Sequence, residues 1–193
     1  MKKVFAALIF FCLTVFSFAQ DLPKQRRVNI CASLHSYDMN PHTAAFTAEA
    51  QLFTGLYEGL FSYDPVNLAP LPAICSSYKI SRDKKRWTFS LRNDAKFSDG
   101  TLITAKDVKN SWISLLETAN APFASLLDCI EGASDFRNGK ISAQDVRIDA
   151  RDDFTVVAHL TEPAGHLPKI LCHHAFSVVS ENKNAYSGAF ALE

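Results

Sequence analysis

The sequence lacks the short motifs that mark common classes of enzyme. It contains no G-x-S-x-G nucleophile elbow, no H-E-x-x-H zinc motif, no G-x-x-x-x-G-K-[ST] phosphate loop and no G-x-G-x-x-G dinucleotide motif. Each motif holds a nucleophile, a metal or a phosphate in a fixed geometry, and nothing in the sequence pairs a nucleophile with a base. We therefore expect a protein that is not an enzyme and that uses no cofactor.

The sequence also lacks an excess of charge of either sign. Its 20 lysines and arginines balance 20 aspartates and glutamates. A near-neutral protein has no long-range field to attract DNA, RNA or an anionic membrane. We expect no nucleic-acid partner.

The one conspicuous apolar run stands at the N terminus. Two lysines precede an uncharged stretch over residues 4–18, and Ser17 and Ala19 place small side chains before Gln20. This pattern is typical of a secretory signal peptide over residues 1–19, cleaved after Ala19. A transmembrane anchor is disfavoured because the run is short and has no cationic residue on its far side, and a lipoprotein signal is disfavoured because Cys12 follows two phenylalanines. We expect a periplasmic or extracytoplasmic protein with a mature net charge of 18 − 20 = −2.

The cysteines show no metal-binding pattern. The mature chain keeps Cys31, Cys75, Cys129 and Cys172, none of them in a C-x-x-C pair. An even number of cysteines in an oxidising compartment permits disulfides, with three possible pairings. Because Cys129 and Cys172 lie in apolar runs, we favour free buried thiols over disulfides.

Several segments have the periodicity of regular structure. Residues 28–32 alternate as in a strand, and apolar residues recur at helical spacing over residues 43–60. Gly55 and Gly59 interrupt this second run, which leaves open a helix followed by a separate turn. Residues 87–91 alternate with a period of two, and residues 95–97 are predicted to return antiparallel to them. The segment that links the helix to this hairpin is rich in proline and predicts a loop.

A capped helix follows the hairpin. Asp99-Gly100 predicts a tight turn, Thr104 a helix N-cap, and Asp107 its capping-box partner. Behind this cap the apolar residues fall on one helical face that includes Trp112, which we expect to pack on the sheet.

The C-terminal half predicts further mixed structure. We expect a second helix up to Asn138, a hairpin formed by residues 146–150 and 154–161, a short helix over residues 166–175 and a last strand over residues 187–192. Helices and strands in this order indicate an α+β (mixed α/β) fold.

Two clusters of polar residues suggest other chemistry. His35, Asp38 and His42 lie close together on a turn, which raises the alternative of a secreted hydrolase or a metal-binding protein. His173 and His174 are adjacent, but neighbouring side chains diverge on a regular helix or strand, so joint ligation is awkward.

An ordered series of motifs resembles a known family. The motifs are MNPH (residues 39–42), LFTGLYEGLFSYD (52–64), KRWTFSLRNDAKFSDGTLITAKDVKNSW (85–112), DDFTVVAHLTEPAGHLPKIL (152–171) and SGAFAL (187–192). In this order they resemble extracytoplasmic solute-binding protein family 5, the oligopeptide-, dipeptide- and nickel-binding components of ABC importers. The resemblance implies a periplasmic binding protein type II-like fold with two lobes that close on the ligand.

The resemblance also implies a division of the chain. Residues 20–42 begin a base subdomain of the N-terminal lobe, residues 43–163 form an inserted hairpin-and-helix subdomain, and residues 164–193 return to the base. By this resemblance we expect the second lobe of the family to be absent. We therefore expect a truncated or partial version with weakened or no ligand binding.

The family's ligand contacts carry over to few residues. The loop after the first strand corresponds to Leu34, His35 and Ser36, and Phe123 stands where a relative has a tyrosine facing the ligand. The resemblance implies an oligopeptide or similar small solute as ligand, an ABC permease in the membrane as partner, and a monomer. A further alternative is an interaction protein that docks on the permease without ligand.

Overall fold

The computed structural model describes residues 27–31 and 37–192. The chain divides into two compact units, residues 1–33 and 34–193. In the first unit, residues 27–31 are exposed and lie in no strand. The strand predicted over residues 28–32 is therefore wrong for residues 28–31, because an alternating pattern forms a strand only where a neighbour completes the hydrogen-bond ladder, and Ala32 lies outside the described residues.

The second unit contains four α-helices and six strands among its described residues. In chain order they are α1 (Thr47–Leu56), β1 (Phe61–Tyr63), β2 (Pro70–Pro72), β3 (Cys75–Ile80), β4 (Arg86–Leu91), α2 (Ala105–Glu117), α3 (Ala133–Arg137), β5 (Ile148–Asp152), β6 (Thr155–His159) and α4 (Leu167–Ile170). Short 3₁₀ helices span Ala124–Leu127, Ala143–Asp145 and His174–Phe176. This mixture confirms the predicted α+β class.

A four-stranded antiparallel sheet with the order β3-β4-β6-β5 forms the centre of this unit. On β4 the side chains of Trp87, Phe89 and Leu91 point to the buried face, as their period of two predicts. Phe89 lies opposite Tyr78 of β3 and opposite Val156 of β6. The hairpin predicted from residues 146–150 and 154–161 is confirmed as β5 and β6.

Helix α2 covers the buried face of the sheet. The Thr104 hydroxyl accepts a hydrogen bond from the Asp107 N–H, and the Asp107 carboxylate accepts one from the Thr104 N–H at 2.7 Å, which confirms the predicted capping box. From this helix Trp112 is fully buried, shares the core with Trp87 and Phe89, and donates from Nε1 to the Phe176 carbonyl at 3.3 Å. The predicted packing of Trp112 on the sheet is confirmed.

The predicted partner of β4 is wrong. Residues 95–97 do not pair with β4, because β3 occupies one of its edges and β6 the other. Lys96 instead forms a bridge with Leu102. Strand β3 lies partly within the segment interpreted as a proline-rich loop, where prolines 70 and 72 also form the short β2.

Three other predicted elements differ in extent. The helix predicted over residues 43–60 is shortened to α1, whose N terminus is closed by the Glu49 carboxylate accepting from the Phe46 N–H at 3.2 Å. The helix predicted up to Asn138 is divided, because Gly132 adopts a left-handed conformation at φ 85° between its two parts. The short helix predicted over residues 166–175 is likewise divided into α4 and a 3₁₀ turn.

The C-terminal strand predicted over residues 187–192 is also wrong. Gly188 and Phe190 donate backbone hydrogen bonds to the carbonyls of Leu56 and Gly55 at 2.9 and 3.0 Å, at the end of α1. These bonds meet a helix end rather than a neighbouring strand, so no ladder extends from them.

Cys31, Cys75, Cys129 and Cys172 are free thiols, as favoured from the sequence, although Cys31 is not buried. Cys31 is exposed, Cys75 is buried, and Cys129 and Cys172 are partly buried. Burial raises the pKa of the Cys75 thiol to about 11, so it remains protonated at neutral pH. Within the described part of the chain, no helix has both the length and the apolar character to cross a bilayer.

Candidate functional site

Of the four residues expected to contact ligand, the structure describes one. Leu34, His35 and Ser36 lie outside the described residues. Phe123 is partly buried and precedes the 3₁₀ helix Ala124–Leu127. Its ring contacts the imidazole of His173, with centroids 4.2 Å apart. Phe123 therefore belongs to an aromatic cluster rather than standing alone.

The second member of this cluster is a pair of histidine rings in close contact, tilted by 32°. The imidazole centroids of His173 and His174 are 4.1 Å apart, so the expected divergence of these neighbouring side chains is wrong. The reason is local: His173 is extended and caps the 3₁₀ helix His174–Phe176, and its Nδ1 accepts from the Ala175 N–H at 3.2 Å. The divergence rule holds only within a regular helix or strand.

The histidine pair is held in its neutral form. Burial, with a smaller contribution from His174, lowers the pKa of His173 to about 4. Burial also lowers the pKa of His174, opposed by its contact with the Ala44 carbonyl and by the charge of Glu49. At neutral pH both rings present uncharged aromatic faces next to Phe123.

The aromatic cluster continues to helix α1. The ring of His174 lies 5.5 Å from that of Phe53, and Phe53 lies 5.5 Å from Tyr57. Tyr57 in turn lies 5.6 Å from Tyr186. Rings from α1, the 3₁₀ turn and the C-terminal segment thus form one continuous series that the sequence pattern did not predict.

The polar residues of the alternative hypothesis do not form a common site in the described structure. The Asp38 carboxylate accepts from the Asn40 N–H at 3.0 Å and from the Thr43 hydroxyl, which is the usual role of aspartate in a turn. His42 is 4% exposed and burial lowers its pKa to about 4. Within residues 27–31 and 37–192, no three His, Cys, Asp or Glu side chains come together as metal ligands would.

An open cavity of about 560 Å³ adjoins the aromatic cluster. Its lining includes Phe53, Tyr57 and His174 from the cluster. Charged side chains line it as well, namely Glu58, Arg92, Asp94 and Lys96. The volume lies in the range of small-molecule sites, roughly 300–1,000 Å³.

Comparison with known protein families shows which family this chain belongs to. The family described as "Bacterial extracellular solute-binding proteins, family 5 Middle" matches residues 69–192. The chain belongs to this family. The resemblance inferred from the motifs is confirmed.

Similar proteins of family 5 include well-characterised binding proteins. The periplasmic oligopeptide-binding protein OppA of Escherichia coli is 36% identical over 144 residues, which are 73% of this chain and 26% of that protein. The crystal structure of Haemophilus influenzae OppA in complex with RPPGFSPFR matches with a TM-score of 0.70 and 32% identity, covering 74% of this chain and 28% of that one. Listeria monocytogenes OppA bound to peptide gives a TM-score of 0.75 at 26% identity, over 80% of this chain and 33% of that one.

These matches show the fold of the chain and the share of a relative's length that it covers. The second unit has the mixed helix-and-sheet architecture of an OppA-type substrate-binding domain, as the type II-like fold expectation required. The chain spans about a quarter to a third of the length of these relatives. The relatives are binding proteins, which favours a protein that is not an enzyme.

The sequence prediction missed the neighbours of Phe123. From the sequence, His173 and His174 are considered only as metal ligands. Their contact with the ring of Phe123, about 50 residues earlier in the chain, is a tertiary contact. The available signal was the apolar run around them, which indicates burial and therefore neutral imidazoles.

Proposed function

We propose that this chain supplies part of a peptide-binding site in an exported solute-binding component of an ABC importer. The observation that carries the proposal is its match to two OppA structures, one in complex with RPPGFSPFR and one bound to peptide. The similarity to OppA of Escherichia coli supports the same conclusion. The ligand we propose is an oligopeptide or a similar small solute.

The proposed contact surface combines the loop Leu34, His35 and Ser36 with the ring of Phe123. The contact between Phe123 and His173 supports this role, because the ring has a packing neighbour and is still partly exposed. An exposed aromatic face offers apolar contact to a peptide side chain without an unpaired polar group. The loop would contact the peptide main chain.

We further propose that the chain binds peptide weakly by itself. Small-molecule sites bury most of the ligand surface, and a chain that spans 28% of a peptide-bound relative provides only part of such an enclosure. The same proposal includes export by the segment over residues 1–19, a monomeric state and an ABC permease as partner.

The proposal is tested by isothermal titration of the purified chain with RPPGFSPFR. We expect no saturation in the low micromolar range, and weak binding that Phe123→Ala reduces further, on the order of threefold to tenfold. Leu126→Ala is the matched control, since Leu126 lies in the adjacent 3₁₀ helix and is 43% exposed.

Two results would count against it. Low micromolar affinity in the chain alone would refute the expectation of weak binding. An equal loss of affinity in the Phe123 and Leu126 variants would refute the role of Phe123.

A further inference from the structure

The lining of the cavity beside the aromatic cluster includes Glu58, whose backbone is held by hydrogen bonds. Glu58 follows α1, and its backbone N–H donates to the Ser187 hydroxyl at 3.0 Å. Its carbonyl accepts from the Val178 N–H at 2.9 Å. At the next residue, Gly59, a Cβ atom would lie 2.9 Å from the Leu171 carbonyl oxygen, so the chain is closely packed there. The backbone that carries the Glu58 side chain is therefore closely constrained.

Among residues 27–31 and 37–192, the carboxylate of Glu58 has no hydrogen-bond or ion-pair partner. It is partly buried and lines the cavity, and within residues 37–192 it makes neither a hydrogen bond nor an ion pair. Burial raises its pKa, with the charge of Arg92 acting in the opposite direction. Removing a carboxylate from water without a partner is unfavourable, so a positively charged group in the cavity would stabilise it.

The neighbouring guanidinium is already occupied. Arg92 donates to both oxygens of the Asp94 carboxylate, from Nε at 3.0 Å and from an Nη at 3.2 Å. This two-point contact pairs both groups, although the charge of Arg92 also acts on Glu58. Of the two carboxylates in the lining, Asp94 is paired with Arg92, and Glu58 has no ion pair among the described residues.

The fourth charged group of the lining is Lys96. Its ammonium is exposed and, in the same described part of the chain, has no hydrogen bond or ion pair. Among the described residues the cavity therefore offers one carboxylate and one ammonium without an ion pair, and its lining also includes the aromatic residues Phe53, Tyr57 and Tyr63.

We propose that this cavity binds a small zwitterionic amino compound, with the ligand's ammonium group at Glu58 and its carboxylate at Lys96. The aromatic wall takes the carbon skeleton of the ligand. A ligand with a single charge pairs one group of the cavity and leaves the other unpaired. This site goes beyond the proposed peptide contact at Phe123, because Phe123 is not among the residues that line the cavity.

The test is a titration of the ¹⁵N-labelled chain followed by amide NMR shifts. The ligands are 4-aminobutanoate as a free amino acid and glycylglycine as a peptide with free ends, with butylamine and butanoate as single-charge controls. We expect saturable shifts of the amides of Glu58, Gly59, Ser187 and Gly188 with at least one zwitterion. We expect affinity about tenfold lower for both controls, because each forms one charge-assisted contact instead of two.

Three variants assign the contacts. Glu58→Gln keeps the shape of the side chain and should lower the affinity for the zwitterion about tenfold. Lys96→Gln should lower it less, since that group is exposed to solvent. Glu162→Gln is the control, because this exposed carboxylate lies outside the cavity lining, and it should leave the affinity unchanged.

The possible outcomes separate this site from the peptide site. Binding of glycylglycine alone identifies peptide ends as the source of the zwitterion, and binding of 4-aminobutanoate identifies free amino acids. The absence of saturable shifts up to about 50 mM would overturn the proposal, as would equal affinity in the Glu58→Gln variant. The peptide proposal is tested separately, by titration with RPPGFSPFR, so its failure does not affect this result.

Discussion

The indole of Trp112 meets the ring of Phe89 edge-on, with centroids 6.4 Å apart and planes at 88°. This contact joins α2 to the central strand of the sheet. It also links two residues that the sequence placed in separate elements, a half-buried strand and an amphipathic helix. The Trp112 Nε1–H donates to the Phe176 carbonyl, so one side chain connects three parts of the core.

Trp112 is therefore expected to contribute strongly to stability. Trp112→Ala should lower the free energy of unfolding by about 3–5 kcal/mol, because it opens a cavity in a closely packed core. Trp112→Phe keeps part of the ring packing but leaves the Phe176 carbonyl without its donor, and should cost about 1–3 kcal/mol. Urea unfolding followed by circular dichroism measures both. Because both variants lack the indole donor, equal losses would contradict the expected contribution of ring packing to the larger loss in Trp112→Ala.

The capping box of α2 gives a second prediction. Thr104→Ala should lower the free energy of unfolding by about 0.5–2 kcal/mol, since the helix loses an N-cap acceptor and the Asp107 carboxylate loses its hydroxyl donor. Lys106→Ala is the control, because Lys106 is exposed in the same first turn. Thermal unfolding of both variants measures the difference. A Lys106 variant as destabilised as the Thr104 variant would show that the effect is not one of capping.

Gly188 tests how the C-terminal segment packs on α1. A Cβ atom at this position would lie 2.6 Å from the Leu56 carbonyl carbon and 2.8 Å from the Tyr57 nitrogen. Gly188→Ala should therefore displace the segment and lower stability by about 1–3 kcal/mol, in the range of overpacking substitutions. At Gly165 a Cβ would meet nothing within 4 Å, so Gly165→Ala should be nearly neutral. Differential scanning calorimetry compares the two, and similar melting temperatures would refute the close packing.

The buried His42 makes stability depend on pH. Because burial lowers its pKa from 6.5 to about 4, the unfolded chain binds its proton more readily than the folded protein does. The corresponding stability is complete above pH 6.5 and decreases as the pH falls from 6.5 towards 4. Its full contribution is roughly 3 kcal/mol, at about 1.36 kcal/mol per pKa unit.

The measurement is the free energy of unfolding at several pH values between about 4 and 7. His42→Gln should make this dependence shallower, whereas substitution of the exposed His166 by Gln serves as the control. His173 and His174, whose pKa values are also lowered, act in the same direction and remain in both variants. An unchanged pH dependence in His42→Gln would contradict the prediction.

The sequence predictions are correct where the interactions join residues close together in the chain, and fail where they join distant segments. The capping box at Thr104, the alternation of Trp87 and Phe89, and the hairpin of β5 and β6 depend on residues close in the chain, and all were predicted correctly. The partners of β4 were not, because an alternating pattern specifies a face but not a neighbour. The same holds for residues 28–31 and 187–192, whose patterns fit strands although the described structure gives them no ladder.

At the candidate site, too, the sequence did not identify the contacts that depend on tertiary structure. The resemblance pointed to Phe123, but nothing near it in sequence identified His173 and His174 as its neighbours, or Glu58 as a carboxylate without a partner. The amino-acid sequence by itself determined the family, the α+β class and the locally coded turns and caps, because these depend on ordered motifs and on periodicity within a segment. Only the tertiary structure decided which rings stack, which strands pair and which charges face the cavity, because burial and pairing arise from segments brought together across the whole chain.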